Sequence, residues 1–132
     1  MRMHDPFQFA FAHLPVSGDD ARFCYVSVRG FTEEAHMRAQ DDDVQMWLAY
    51  PPGFDAKKKY PVLQNIHGGP HTAAGDNWHY RWNTQVFAAQ GYIVASVNYH
   101  GSSGFGYAFL DSITHRWGEL ELQDVEAGTD WL

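Results

Sequence analysis

The residues of this chain best suited to chemistry form one run, His67, Gly68, Gly69, Pro70 and His71, directly behind the apolar stretch YPVLQNI. Glycine has no Cβ, so two in succession let a ligand approach the main chain and permit positive φ, which aims peptide N–H groups at a common point. Fixed amide dipoles at the end of a buried strand stabilise a carbonyl oxygen that gains negative charge. The run therefore suits an oxyanion-binding loop. A tight strand-to-helix turn is the plainer use of the same residues, and a strand before with a helix after favours the catalytic one.

Other chemistries fit less well. His67 and His71 are four residues apart, but Gly68, Gly69 and Pro70 forbid the helix that would bring both imidazoles to one side, and HExxH is absent, so no metal is expected. The glycine-rich GSSGFG, Gly101 to Gly106, lacks both the GxGxxG order and the lysine of a phosphate loop. It reads as a bend, with Ser102 and Ser103 bonding locally to backbone, and no cofactor is expected. No serine has a glycine two residues away on both sides, so the GxSxG elbow that exposes a hydrolase serine is missing. The chain thus holds the loop that receives the oxyanion without the group that attacks.

The elements around the loop follow from periodicity. RFCYVSV reads as a strand. EEAHMRA and VQMWLAY read as a hairpin turned by Asp41 to Asp43, the second strand alternating Val44, Met46, Leu48 and Tyr50. Pro51, Pro52 and Gly53 end it. YPVLQNI and YIVASV read as buried strands. Between them NWHYRWNTQVFAAQG places Trp78, Trp82, Val86 and Ala89 on one helical face, with Asp76 or Asn77 as N-cap and Gly91 as the stop. Strand, helix, strand with short connections makes a parallel crossover. ELELQDVEAGTDWL closes the chain as a helix with Leu122, Val125 and Leu132 on one face. The fold class is α/β, a leading antiparallel hairpin followed by parallel β-α-β-α.

Bulk properties limit the partners. The 132 residues carry a formal net charge of −7, and the basic residues gather only in Lys57 to Lys59. Nucleic acid and anionic membranes both need a basic surface, so neither is an expected partner. No apolar run reaches the roughly twenty residues of a membrane span, and the N-terminal fifteen do not read as a signal peptide, so a cytoplasmic location is expected, or a periplasmic one if an upstream signal exists. The lone Cys24 excludes an intrachain disulfide and reads as a small buried hydrophobe. An aromatic share of 16% implies a sizeable packed surface.

Taken together, VQMWLAYPPGFD, KKYPVLQNIHGGPH, WHYRWNTQVFAAQGYIVASVNYHGSSGFG and RWGELELQDVEAGTDWL, in that order, resemble the catalytic domain of the prolyl oligopeptidase family of serine peptidases, nearest its acylaminoacyl-peptidase and dipeptidyl-peptidase branch. The resemblance covers about two thirds of the chain, from Val44 to Leu132. It implies an incomplete α/β-hydrolase fold over residues 31–132, with residues 1–30 a lead-in from the edge of a preceding β-propeller. It implies a Ser, Asp, His triad acting on short peptides, with the N–H of Gly68 or Gly69 in the oxyanion hole. His67 stands where some relatives carry a tyrosine whose hydroxyl assists, and His100 where many carry an arginine, which puts an ion pair near that turn in question. Family order sets the nucleophile, acid and base beyond the last helix, so the chain is expected to be the N-terminal half of the domain and inactive alone. The alternatives are a carboxylesterase of the same fold, or a non-catalytic module that self-associates through its exposed sheet edge.

Overall fold

The apolar alternation of the first long strands builds the sheet on which everything else rests. The computed structural model describes residues 24–27, 30–40 and 42–132. Most of the expected lead-in over residues 1–30, the side chain of Cys24 and Asp41 of the turn lie outside what is described. Strand β2 (Gly30–Ala39) pairs antiparallel with β3 (Asp42–Tyr50), setting Glu33 against Leu48, Ala35 against Met46 and Met37 against Val44. All six are buried, as a period of two demands of one sheet face. The turn comes earlier than expected: Gln40 adopts φ 52, while Asp42 and Asp43 already belong to β3.

Strand β1 (Cys24–Ser27) extends the sheet beyond β2. Strand β5 (Ile93–Val97) pairs antiparallel with β3 and parallel with β4 (Val62–Gln64), giving the order β1-β2-β3-β5-β4. The expected hairpin and parallel pair are both present, but β4, read as a buried strand, lies at the edge of the described sheet with Val62 exposed and Leu63 and Gln64 only half-buried. On one face Ala35, Met37, Val44, Met46, Leu48, Ala95 and Val97 form the main core, against which Val125 and Ala127 of helix α3 (Leu120–Trp131) pack. The approach is close enough that a Cβ on Gly128 would lie 2.7 Å from Val97 Cγ2. On the other face Ala49, Val94 and Ala88 form a smaller cluster under helix α1 (Thr84–Ala88). Helix α2 (Tyr107–Asp111), not expected from the periodicity, follows the glycine-rich bend.

Two helical readings need correction. The helix expected from Asn77 onward starts only at Thr84, because the Asn83 side chain accepts from the N–H of Gln85 and Val86 as its N-cap. Upstream, His79 Nδ1 accepts from the N–H of Arg81 and Trp82 at 3.1 and 3.0 Å, a local turn that competes with helix. Trp78, Trp82 and Val86 are consequently exposed, and the packed residue is Ala88. In α3 the buried row is Leu120, Asp124 and Gly128, while Leu122 and Leu132 are exposed. Hydropathy assigns an aspartate to solvent, but this one has a buried partner, and that rotates the helix.

Candidate active site

Parallel strands β4 and β5 end side by side, and the loops leaving their carboxyl ends, HGGPHTAA and NYHGSS, form the site. Such strand ends are where open α/β sheets gather functional groups. The ladder runs one residue past β4, with Asn65 N–H donating to Ala95 O at 2.7 Å, so the HGGP loop leaves from a fixed point.

The two loops are then tied residue by residue. Tyr99 donates its phenol to His67 O at 2.5 Å and stacks on the His67 ring with centroids 4.4 Å apart. Ser102, fully buried, sets its Oγ 3.0 Å from His67 Nε2. His67 Nδ1 lies 3.1 Å from Thr72 Oγ1, and the Thr72 hydroxyl donates to Gly68 O. His71 Nδ1 donates to Gly101 O at 2.8 Å, and Ser103 N–H to Thr72 O at 3.1 Å. Asn98, also fully buried, accepts from Ala74 N–H at 2.7 Å and donates to Ala74 O at 3.0 Å.

Within this frame Gly69 has φ 133, and a Cβ there would meet Thr72 Cγ2 at 2.8 Å, so only glycine suits the position. Gly68 and Gly69 are exposed, and among the described residues their N–H groups have no acceptor. Burial lowers the His67 pKa, a bond to Gly68 O opposing it, and the ring is neutral near pH 7. Burial, with the Glu121 carboxylate adding to it, raises that of Tyr99 and keeps its phenol a donor.

His100 forms a second centre two residues from Ser102. Its side chain is buried, with Nδ1 2.7 Å from Asp124 Oδ2 and Nε2 3.0 Å from Asp42 Oδ2, and its own N–H donates to Asp124 Oδ2 at 2.6 Å. The ring stacks on Phe109. Burial disfavours the charged imidazole, but the two carboxylates together outweigh it and raise the pKa. Burial also raises the pKa of Asp124, the bonds from His100 opposing it. At this turn His100 bridges two carboxylates, Asp124 and Asp42. The second oxygen, Asp124 Oδ1, is buried without a partner among the described residues. A groove of about 730 Å³ opens beside the pair, lined by Asp42, His100, Phe105, Phe109, Arg116 and Leu120 among others.

His67, Gly68 and Gly69 therefore lie together at the end of β4, as the spacing requires. Residue patterns missed the clamp of Asn98, Tyr99 and Ser102. Ser102 was expected to bond to local backbone, and its hydroxyl instead reaches the neighbouring loop. The available signal was position, since NYHGSS leaves the strand adjacent to β4.

Comparison with known proteins identifies the family. A family model described as "Prolyl oligopeptidase family" matches residues 78–132. The chain is 48% identical over 89 residues to the "Probable dipeptidyl-peptidase 5" of Aspergillus terreus, covering 67% of this chain and 12% of that protein. It is 46% identical over 82 residues to the corresponding protein of Arthroderma benhamiae, covering 62% and 11%. The chain thus spans about an eighth of the length of these relatives. Among solved structures it is similar to the acylaminoacyl peptidase of Pyrococcus horikoshii, with a TM-score of 0.69 and 26% identity over 78% of this chain and 16% of that one. It is similar also to a putative dipeptidyl aminopeptidase IV from Bacteroides ovatus, with a TM-score of 0.64 and 28% identity over 78% and 15%. Fold and sequence agree, and the chain belongs to the prolyl oligopeptidase family of α/β-hydrolase peptidases.

Proposed function

We propose that this chain is the part of a serine-type peptidase that binds the oxyanion formed when a peptide carbonyl of a short substrate is attacked. The observation that carries the reading is that the Gly68 and Gly69 amides, at the end of the parallel strand β4 and on a loop tied down on both sides, have no acceptor of their own among the described residues. Donors held in advance stabilise charge at little cost in reorganisation, which is the requirement of an oxyanion hole. A loop fastened by His67, Thr72, Tyr99 and Ser102 meets it. The 132 residues contain no GxSxG, so on this reading the attacking serine comes from outside this stretch, and the family order implied by the resemblance sets its Asp and His there too. Peptides rather than carboxyl esters are the preferred substrate class because the similar proteins whose names state an activity are peptidases.

The test exchanges the 89-residue matching segment of the Aspergillus terreus relative for that of this chain. The chimera should cleave a dipeptidyl chromogenic amide. Gly68→Pro, which removes one N–H, or Gly69→Ala, which displaces the other, should lower kcat by about 10²- to 10³-fold with little change in KM. An active chimera in which both variants keep their kcat would refute the reading. The chain by itself should show no turnover and no labelling by a fluorophosphonate.

A further inference from the structure

Resting on the oxyanion reading of Gly68 and Gly69, we propose that Ser102 is a positioning residue: its hydroxyl donates to the bare Nε2 of His67, whose Nδ1–H is held by Thr72 and Gly68, and so makes His67 a strut that holds the glycine amides in place.

Counting protons around the ring leads to this assignment. The Thr72 hydroxyl has one hydrogen, and it goes to Gly68 O. Toward His67 Nδ1, 3.1 Å away, Thr72 Oγ1 is therefore an acceptor, as is Gly68 O at 3.2 Å. Two acceptors on one side require Nδ1 to carry the hydrogen. Burial lowers the pKa of His67, so the ring holds only one proton and Nε2 is bare. The group facing Nε2 is the Ser102 hydroxyl, in a residue with no exposed surface. It must donate, or a half-buried lone pair goes unmet. With one nitrogen spent on Thr72 and Gly68 and the other on Ser102, the imidazole has no N–H to offer a substrate oxygen. The donors in this segment are then main-chain amides alone, and NYHGSS is as much part of the machinery as HGGP.

The experiment uses the 132-residue chain with ¹⁵N-labelled histidine. In the unmodified protein the ring nitrogens of His67 should report Nδ1–H with Nε2 as acceptor. S102A should leave the hydrogen on Nδ1 but shift the Nε2 signal toward that of an unbonded acceptor, raise the ring's pKa because the neutral form loses a donor, and speed hydrogen exchange at Gly68 and Gly69 about tenfold or more, with exchange at Val94 to Val97 unchanged. S102T, which restores the hydroxyl, should return all three readouts. An Nε2–H tautomer in the unmodified chain overturns the proposal whether or not S102A folds, and so does an S102A spectrum identical to it. This result is independent of the Gly68→Pro kinetics: a failed tautomer leaves the amides as donors, and failed kinetics leave the tautomer standing.

Discussion

His100 separates two effects that static contacts cannot. Its pKa is raised because Asp124 and Asp42 favour the imidazolium more than burial opposes it. A raised value in the fold means that the native state binds the proton more tightly than the unfolded chain. The stabilisation is then fully present below about pH 6.5 and is lost as pH rises through the folded value. His67 has the opposite sign, since its lowered pKa gives stabilisation that is present above about pH 6.5 and lost as pH falls through the folded value. We expect the thermal midpoint to drop as pH rises above 6.5, and the drop to vanish in His100→Gln. His100→Arg should also flatten it while raising stability at pH 8, because a fixed planar cation can use Asp124 Oδ1, the oxygen that histidine leaves unpaired. Midpoints from pH 5 to 9, read by circular dichroism, check both variants. An unchanged slope in His100→Gln would remove the ion pair from the account.

At the scale of elements, the helices show where residue patterns succeed and where they stop. The strands were legible because both β2 and β3 repeat every two residues, and their register then follows from burying one face. The glycine pair was legible because few backbones need it. The extent of α1 was not, since the 78, 82, 86 spacing is helical on paper while His79 and Asn83 divert the backbone bonds on which that helix depends. The rotation of α3 was not legible either, because a buried Asp124 is explained only by a histidine 24 residues earlier. Two substitutions test these contacts. Gly128→Ala pushes a Cβ against Val97 and should cost about 1–3 kcal/mol. Asn83→Ala removes both cap bonds of α1 and should cost about 1 kcal/mol. Urea titration reads each, and a neutral Gly128→Ala would show that α3 sits farther from the sheet than described.

For the whole molecule, the sheet order among the described residues ends on β4, a three-residue strand paired there on one side only. Val62 and Ile66 are exposed beside it, and Trp78, Trp82 and Trp117 are exposed elsewhere on the chain. Unpaired N–H and C=O groups next to apolar side chains are a template for a further strand. Self-association of the isolated chain through this edge is our proposal, and sedimentation velocity at rising concentration should show it. A lysine at Val62 should weaken it, and a monomer at every concentration would rule it out. The HGGP loop leaves this same edge strand, so the proposed docking edge and the proposed oxyanion loop lie together.

That junction can be observed directly in the chimeric enzyme crystallised with a peptidyl boronic acid, whose tetrahedral adduct on the serine imitates the attacked carbonyl. The account predicts one boronate oxygen at about 2.7–3.1 Å from the main-chain nitrogen of Gly68 or Gly69, with the His67 ring still against Ser102. An adduct oxygen held by other groups, with both glycine amides turned into bonds within the protein, would contradict it.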